Sequence, residues 1–200
     1  MFTGFIKETG LIEQVTPLES GAELMIKIDP QFAAEIPLQS HLAIDGRVFT
    51  VLHKEEDNHF SYLKFYASNF AKVKTYLPHR QVNLERALRF GDELPGTFFY
   101  GLPSGVVQVT ALEMLSNGKS MMTVSFEDNL SNFLSVQDQV CLDGVLLQIK
   151  EINTHLLSFE LYPHTLSVTN LGARQVGDLL WIEIEPLIVK ISRILPRFIP

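Results

Sequence analysis

The segment His41-Leu-Ala-Ile-Asp-Gly-Arg-Val-Phe-Thr-Val51 returns 98 positions later as Gln139-Val-Cys-Leu-Asp-Gly-Val-Leu-Leu-Gln-Ile149. In both copies an Asp-Gly pair separates two runs of β-branched and large apolar residues, the signal for a tight hairpin whose turn needs positive φ. The spacing is close to half of the 200 residues, so the repeat bears on the whole chain. Other landmarks keep it. Asp29 corresponds to Glu127 and Val82-Asn-Leu-Glu85 to Leu180-Trp-Ile-Glu183 at 98, while Gly4 and Gly101, and Tyr62 to Phe65 and Phe159 to Tyr162, correspond at 97. An offset held within one residue across so many landmarks marks an internal duplication.

Each copy reads as short strands separated by turns. Phe5 to Val15 forms a strand that Gly10 allows to bend, Pro17 to Gly21 a turn, and Glu23 to Ile28 a second strand with alternate apolar residues. Asp29-Pro30 is a helix start, a capping side chain followed by Pro in the first turn, and predicts a short helix over Gln31 to Ile36. After the Asp45-Gly46 hairpin come a polar turn at Lys54 to Asn58 and a strand at Phe60 to Phe65. A short helix or irregular loop at Ser68 to Thr75 and a closing strand at Val82 to Leu88 complete the copy. The second half repeats the order with Gly105 to Val109, Met122 to Phe126, Glu127 in place of the helix cap, the second hairpin, Phe159 to Tyr162 and Leu180 to Glu183.

About six strands per half predict an all-β chain of two tandem six-stranded Greek-key barrels, closed so that no edge strand stays exposed. The boundaries expected are an N-terminal barrel over 1–93, a C-terminal barrel over 94–186 and a terminal helix over 187–200, with Arg89 to Gly96 as the linker. Leu187, Ile188, Ile191, Ile194 and Leu195 fall on one side of that helix. The stripe fits docking on its own barrel or packing against other copies, the second being favoured.

With 16 Lys+Arg against 23 Asp+Glu and a net charge of −7, the chain lacks the cation excess needed to track phosphates, so no nucleic-acid partner is expected. Cys141 is the sole cysteine and lies in an apolar strand, where it reads as a buried small hydrophobe in a reduced compartment. The charged start and the absence of an apolar run of about 18 residues predict neither a signal peptide nor a membrane span, hence a cytoplasmic protein. His53, His59, His79 and His155 lack ligand spacing, so no metal is expected. Glu55-Glu56-Asp57 reads as a solvated turn and Trp181 as core.

Met1-Phe-Thr-Gly4, the two Asp-Gly hairpins, Val82-Asn-Leu-Glu-Arg-Ala-Leu88 running into Gly91-Asp-Glu-Leu-Pro-Gly96, and Pro163-His-Thr-Leu-Ser-Val-Thr-Asn-Leu-Gly172 followed by Val176-Gly-Asp178 resemble the riboflavin synthase α-chain family. The likeness spans essentially the whole chain. It implies a homotrimer held by C-terminal helices, with each site between the N-terminal barrel of one subunit and the C-terminal barrel of a neighbour. The implied reaction moves a four-carbon unit between two molecules of 6,7-dimethyl-8-ribityllumazine, giving riboflavin and 5-amino-6-ribitylamino-pyrimidinedione, with no cofactor. The family includes non-catalytic relatives, the lumazine proteins and yellow fluorescent proteins of luminous bacteria. A lumazine- or flavin-binding protein is therefore the alternative.

Carried over residue by residue, the resemblance implies Phe2 and Thr3 as catalytic, on an N-terminal strand that closes the site. For substrate binding it implies Gly4, Ile6, His41, Val48, Thr50, Ser68, Gly101, Leu102, Leu146, Gln148, Tyr162 and Thr165. Several of these depart from the family pattern. Val48 stands where a Cys is frequent, Thr97 and Leu102 where His is usual, and Leu146 and Gln148 where Ser and Thr are found. Ala67-Ser68 replaces Glu-Thr, and His41 takes the place of a Ser. Each neutral hydrogen bond lost to a polar pteridine is worth about 0.5–1.5 kcal/mol, whereas stacking two substrates in reactive register can supply ~7–11 kcal/mol.

Overall fold

The computed structural model describes residues 2–68, 75–93 and 101–194. Its first half contains β1 (Glu8–Leu18), β2 (Gly21–Ile28), β3 (His41–Ile44), β4 (Arg47–Glu56), β5 (Ser61–Ser68) and β6 (Gln81–Arg86). These pair in the order β1-β2-β5-β4-β3-β6, and antiparallel pairing of β1 with β6 closes the barrel. The second half contains β7 (Leu102–Met114), β8 (Ser120–Ser125), β9 (Gln139–Leu142), β10 (Val145–Asn153), β11 (Leu156–Leu161) and β12 (Leu179–Ile184). Read around the ring from β7, its order is that of the first barrel, closed by β7 against β12.

The duplication extends to register and irregularities. In β2, Ala22, Leu24, Ile26 and Ile28 point inward, with Leu24 opposite Phe65 and Ile26 opposite Leu63. In β8, Met122 and Val124 face Phe159 and Leu157. A bulge breaks the register between Val51 and His53 and recurs between Ile149 and Glu151, the positions related by 98. Such bulges sharpen the local twist that a small closed barrel needs. The Asp-Gly turns are equally alike, Asp45 and Gly46 lying at φ 48° and 77°, Asp143 and Gly144 at 47° and 78°.

The helices follow the sequence in part. α1 (Pro30–Ala34) is capped by Asp29, whose Oδ1 accepts from the N–H groups of Gln31 at 2.8 Å and Phe32 at 3.2 Å. Its counterpart is a 3₁₀ turn over Asp128–Phe133, and Glu127 makes no capping bond because its longer side chain does not hold the N-cap geometry. Three further pieces are not foreseen from periodicity: the 3₁₀ turn Ser116–Gly118, α2 (Pro163–Val168) and the 3₁₀ turn Asn170–Ala173. α3 (Pro186–Ile194) ends the described chain. Most of the Ser68 to Thr75 segment, the end of the Arg89 to Gly96 linker, Thr97 and Leu195 lie outside the described residues.

The barrels share packing as well as a chain. Trp181 on β12 is 7 % exposed and belongs to the core of the first barrel, not its own, while Ile6 packs against the core of the second. Cys141 is buried and free. Among the described residues no helix is long and apolar enough to cross a membrane, and no group of His, Cys, Asp and Glu could hold a metal ion.

Candidate functional site

The two Asp-Gly turns meet back to back where the barrels join. A Cβ on Gly144 would lie 2.7 Å from the backbone nitrogen of Gly46, so only glycines permit this approach. Both aspartates are fully buried and act on the closing strands in the same way. Asp45 Oδ1 accepts from the N–H of Asn83 at 2.8 Å, and Asp143 Oδ1 accepts from the N–H of Trp181 at 2.8 Å. In return, the Asp45 and Asp143 N–H groups donate to the carbonyls of Asn83 and Trp181.

Cations from the second barrel and from before β6 offset this buried charge. Arg174 donates to Asp143 Oδ2 at 2.7 Å, and Arg80 lies 3.7 Å from the same oxygen. Asn170, from the 3₁₀ turn, donates to Asp45 Oδ1 at 2.8 Å and receives the Asn83 side-chain amide on its own Oδ1 at 2.8 Å. Burial and then the nearby Asp143 hold the Asp45 carboxyl well above its ordinary range.

The amino-terminal segment lies along this seam. Glu85 on β6 accepts from the Thr3 N–H at 2.5 Å, the Thr3 hydroxyl at 2.8 Å and the Gly4 N–H at 3.1 Å. The Gly4 carbonyl accepts from the Leu146 N–H of the second barrel at 3.2 Å. At Gly4, φ is 75° and a Cβ would stand 2.9 Å from that of Leu146, so glycine is required there on both counts. The segment is thus tied to one barrel by a carboxylate and to the other by a backbone bond. Thr3 is 8 % exposed and its hydroxyl is spent on Glu85, which makes it an anchor of the segment rather than a group free to meet substrate.

Beneath this segment is a cavity of about 400 Å³ lined by Phe2, Gly4, Arg47, Val48, Gly101 and Leu102, with Glu85, Cys141 and Glu183 in its wall. Glu183 is the counterpart of Glu85 but makes no side-chain hydrogen bond among the described residues. Burial, then the charges of Glu85 and Asp143, push its carboxyl up to about 8. Burial also raises Glu85, against the pull of its three donors, and raises the Cys141 thiol. The cavity wall thus holds a carboxyl that stays protonated at neutral pH.

A second cavity of about 300 Å³ is lined by Arg47, Val48, Phe49, Thr50, Leu52, Tyr66 and Ser68, the exposed Val48, Leu52 and Tyr66 placing it on the outer face of β4 and β5. Pairing of β3 with β4 sets His41 opposite Thr50, with Nδ1 and Oγ1 3.4 Å apart. Of the residues expected from sequence, Val48, Thr50 and Ser68 meet at this outer cavity with His41 beside them, while Phe2, Gly4, Gly101 and Leu102 meet at the seam, Val48 belonging to both. Leu146 and Gln148 lie on β10, and Tyr162 and Thr165 follow β11. The Gln148 amide donates to the Gln137 carbonyl at 3.2 Å, and Tyr162 is half exposed with the Lys119 ammonium 4.4 Å from its ring centre. Ile6 lines neither cavity but serves the second barrel's core.

Sequence reasoning passed over Arg47, Glu85 and Glu183. Glu85 and Glu183 lie on β6 and β12, which the structure buries at four or more successive positions, as in strands covered on both faces. Arg47 was hidden in the variable place after Asp-Gly.

The lumazine binding domain model matches residues 101–185. The riboflavin synthase of Brucella abortus (strain 2308) is 29% identical over 196 residues, 94% of this chain and 94% of that one. The riboflavin synthase of Photobacterium phosphoreum is 27% identical over 199 residues, 98% of this chain and 89% of its own. Among solved structures, LumP complexed with riboflavin superposes with a TM-score of 0.77 at 21% identity, covering 92% of this chain and 99% of that one. LumP complexed with flavin mononucleotide gives 0.75 at 17% identity with the same coverage.

Proposed function

We propose that this chain, whose second half matches the lumazine binding domain and whose sequence is similar to riboflavin synthases throughout, is itself a riboflavin synthase, converting two 6,7-dimethyl-8-ribityllumazine molecules to riboflavin and 5-amino-6-ribitylamino-pyrimidinedione without a cofactor. The observation that carries the reading is the doubled frame. Two barrels of one strand order, turned back to back at Gly46 and Gly144, offer two similar cradles to two copies of one heterocycle. The reaction asks chiefly for register between bound rings, for which oriented binding supplies ~7–11 kcal/mol.

In this reading Phe2 walls the site and Thr3 holds the closing strand in place. Thr50, His41 and Ser68 meet the ribityl chain or ring edge in the first barrel. In the second barrel Leu146, Gln148, Tyr162 and Thr165 receive the other molecule, beside Gly101 and Leu102. The two cradles that react together lie on adjacent subunits of a homotrimer in the cytoplasm, assembled through the exposed Leu187, Ile191 and Ile194 of α3.

Binding of lumazine or flavin without turnover is the second reading. It is favoured by the apolar Val48 and Leu102 in the seam and by the engagement of the Gln148 amide with Gln137. Mixing the protein with dimethylribityllumazine and following riboflavin by absorbance separates the two. Turnover above the uncatalysed background supports the synthase. Retained fluorescent ligand at background rate supports the carrier, and neither ligand retention nor turnover removes both.

A further inference from the structure

We propose that Glu183 is the catalytic base of this site, taking a proton from the 7-methyl group of the lumazine bound in the seam cavity. The inference rests on the preceding reading only in taking dimethylribityllumazine as the ligand there.

The placement of Glu183 follows from strand alternation. Leu180, Ile182 and Ile184 of β12 enter the second barrel's core, so Trp181 and Glu183 point outward, toward the first barrel. Pairing of β12 with β9 sets Cys141 opposite Glu183, as pairing of β6 with β3 sets Ala43 opposite Glu85. The two glutamates thus hold the same place in the two halves, yet their work differs. Glu85 accepts from the Thr3 N–H, the Thr3 hydroxyl and the Gly4 N–H, so its carboxylate is committed to the amino-terminal segment. Glu183 is 7 % exposed and lies against Gly46, where a Cβ would collide with its Oε1. Among the described residues it makes no hydrogen bond and no ion pair. A buried carboxyl left without a partner in a cavity wall is costly to the fold, and a group of that kind marks a place where a ligand is acted on.

The surroundings suit proton transfer to and from carbon. The cavity of about 400 Å³ sets the apolar Phe2, Val48 and Leu102 around the carboxyl, and Arg47 is the one cation in its wall among the described residues. That guanidinium is engaged with Trp181, its central carbon 4.5 Å from the ring centre. The ionisable groups facing Glu183 are Glu85 from β6, Cys141 from β9 and Asp143 from the turn. Burial, then the charges of Glu85 and Asp143, push its carboxyl up to about 8, and a general base is most effective when it titrates close to the working pH. The 7-methyl of the lumazine is carried on a ring conjugated to imine nitrogens and carbonyls. As the carboxylate takes the proton, the methyl C–H bond breaks, an O–H bond forms on Glu183, and the electron pair passes into the ring. Return of the proton restores both partners, so the step needs no co-reactant and precedes any transfer of carbon.

The test is exchange of the 7-methyl protons of dimethylribityllumazine in deuterated water, followed by proton NMR, with the unaltered protein, Glu183→Gln and Glu183→Asp. Binding is read by lumazine fluorescence and riboflavin formation by absorbance. The unaltered protein should exchange the bound ligand faster than buffer does, at a rate that rises through about pH 8 and levels once the carboxylate has formed. Glu183→Gln should bind lumazine within about threefold of the unaltered protein, yet lose about 10²–10⁴-fold in exchange at saturating ligand together with the rise with pH. Glu183→Asp, which keeps a carboxylate, should retain part of the rate. Unaltered exchange in Glu183→Gln, or a loss that saturating ligand restores, overturns the proposal. So does exchange no faster than in buffer while lumazine is bound to the unaltered protein, and the lumazine reading then stands. Exchange without riboflavin formation supports the proposal and assigns the protein to the carrier reading. Failure to bind dimethylribityllumazine overturns both. Thermal melts show whether the variants are folded, and for a misfolded Gln variant the Asp variant and the pH profile of the unaltered protein decide.

Discussion

Glu183 ties stability to pH in a way that a single substitution isolates. In the unfolded chain its carboxyl titrates near 4.5, and in the folded protein near 8, because it is buried beside Glu85 and Asp143. A raised carboxyl gives its full stabilising contribution below the unfolded value and loses it as pH rises through the folded one, since the native state must then either hold the proton or bury a charge. At about 1.4 kcal/mol per decade of proton concentration, the whole span is worth about 5 kcal/mol. About 3–4 kcal/mol of it falls between pH 5 and pH 8. Glu183→Gln keeps the shape and removes the titration. Urea unfolding of both proteins at several pH values should therefore show curves that diverge, the difference growing in favour of the Gln variant as pH increases. In a chain of this size it amounts to about 10 °C in Tm across that interval. Asp45 and Glu85 are raised as well and remain in both proteins, so the difference reports Glu183 together with its coupling to Glu85. Parallel profiles would refute the assignment of a buried, protonated Glu183.

Arg174→Met removes the 2.7 Å partner of Asp143 and leaves two fully buried aspartates with Arg80 alone; unfolding by denaturant should show a loss of about 3–5 kcal/mol. Gly144→Ala places a Cβ 2.7 Å from the Gly46 nitrogen at positive φ, and should cost about 1–3 kcal/mol by the same measurement. Thr3→Val deprives Glu85 of one of three donors, and should weaken lumazine binding, read by fluorescence titration, with a stability loss of about 1 kcal/mol. If α3 joins subunits, Ile191→Asp should convert a trimer to a monomer by light scattering, and an unchanged mass would remove that face from the interface.

The architecture was legible because the repeat states it twice. A spacing of 98, alternation in β2 and β8, and two Asp-Gly turns are local features, and a barrel of short hairpins is built from local features. What escaped depends on distance in space rather than in sequence. Asp45 and Asp143 were read as turn formers, and so they are, but their side chains also accept from strand N–H groups 38 residues away. α2 begins at Pro163 with Tyr162 in front of it, a residue without a side-chain capping bond, so the usual start signal was missing. The ligand-facing residues came from likeness to a family rather than from periodicity. Arg47 and Glu183 were left out because nothing in a strand pattern reveals which polar group will stand against a cavity.

The same comparison of halves shows where the copies parted. The main-chain bargain at the seam is intact in both, Asp45 with Asn83 and Asp143 with Trp181, each an N–H to carbonyl bond answered by an N–H to carboxylate bond. Side chains pointing away from that shared backbone are free to differ, and they do. Asn83 reaches across to the Asp143 carbonyl and to Asn170, strengthening the join. Trp181 turns instead into the first barrel and becomes the surface on which Arg47 rests. The second half thus lends a ring to the first half's core, and the first half sets a cation on it. Removing that ring would open the first barrel's core and release Arg47 together, so the packing of the first barrel and the placing of its cation both depend on one side chain of the second half.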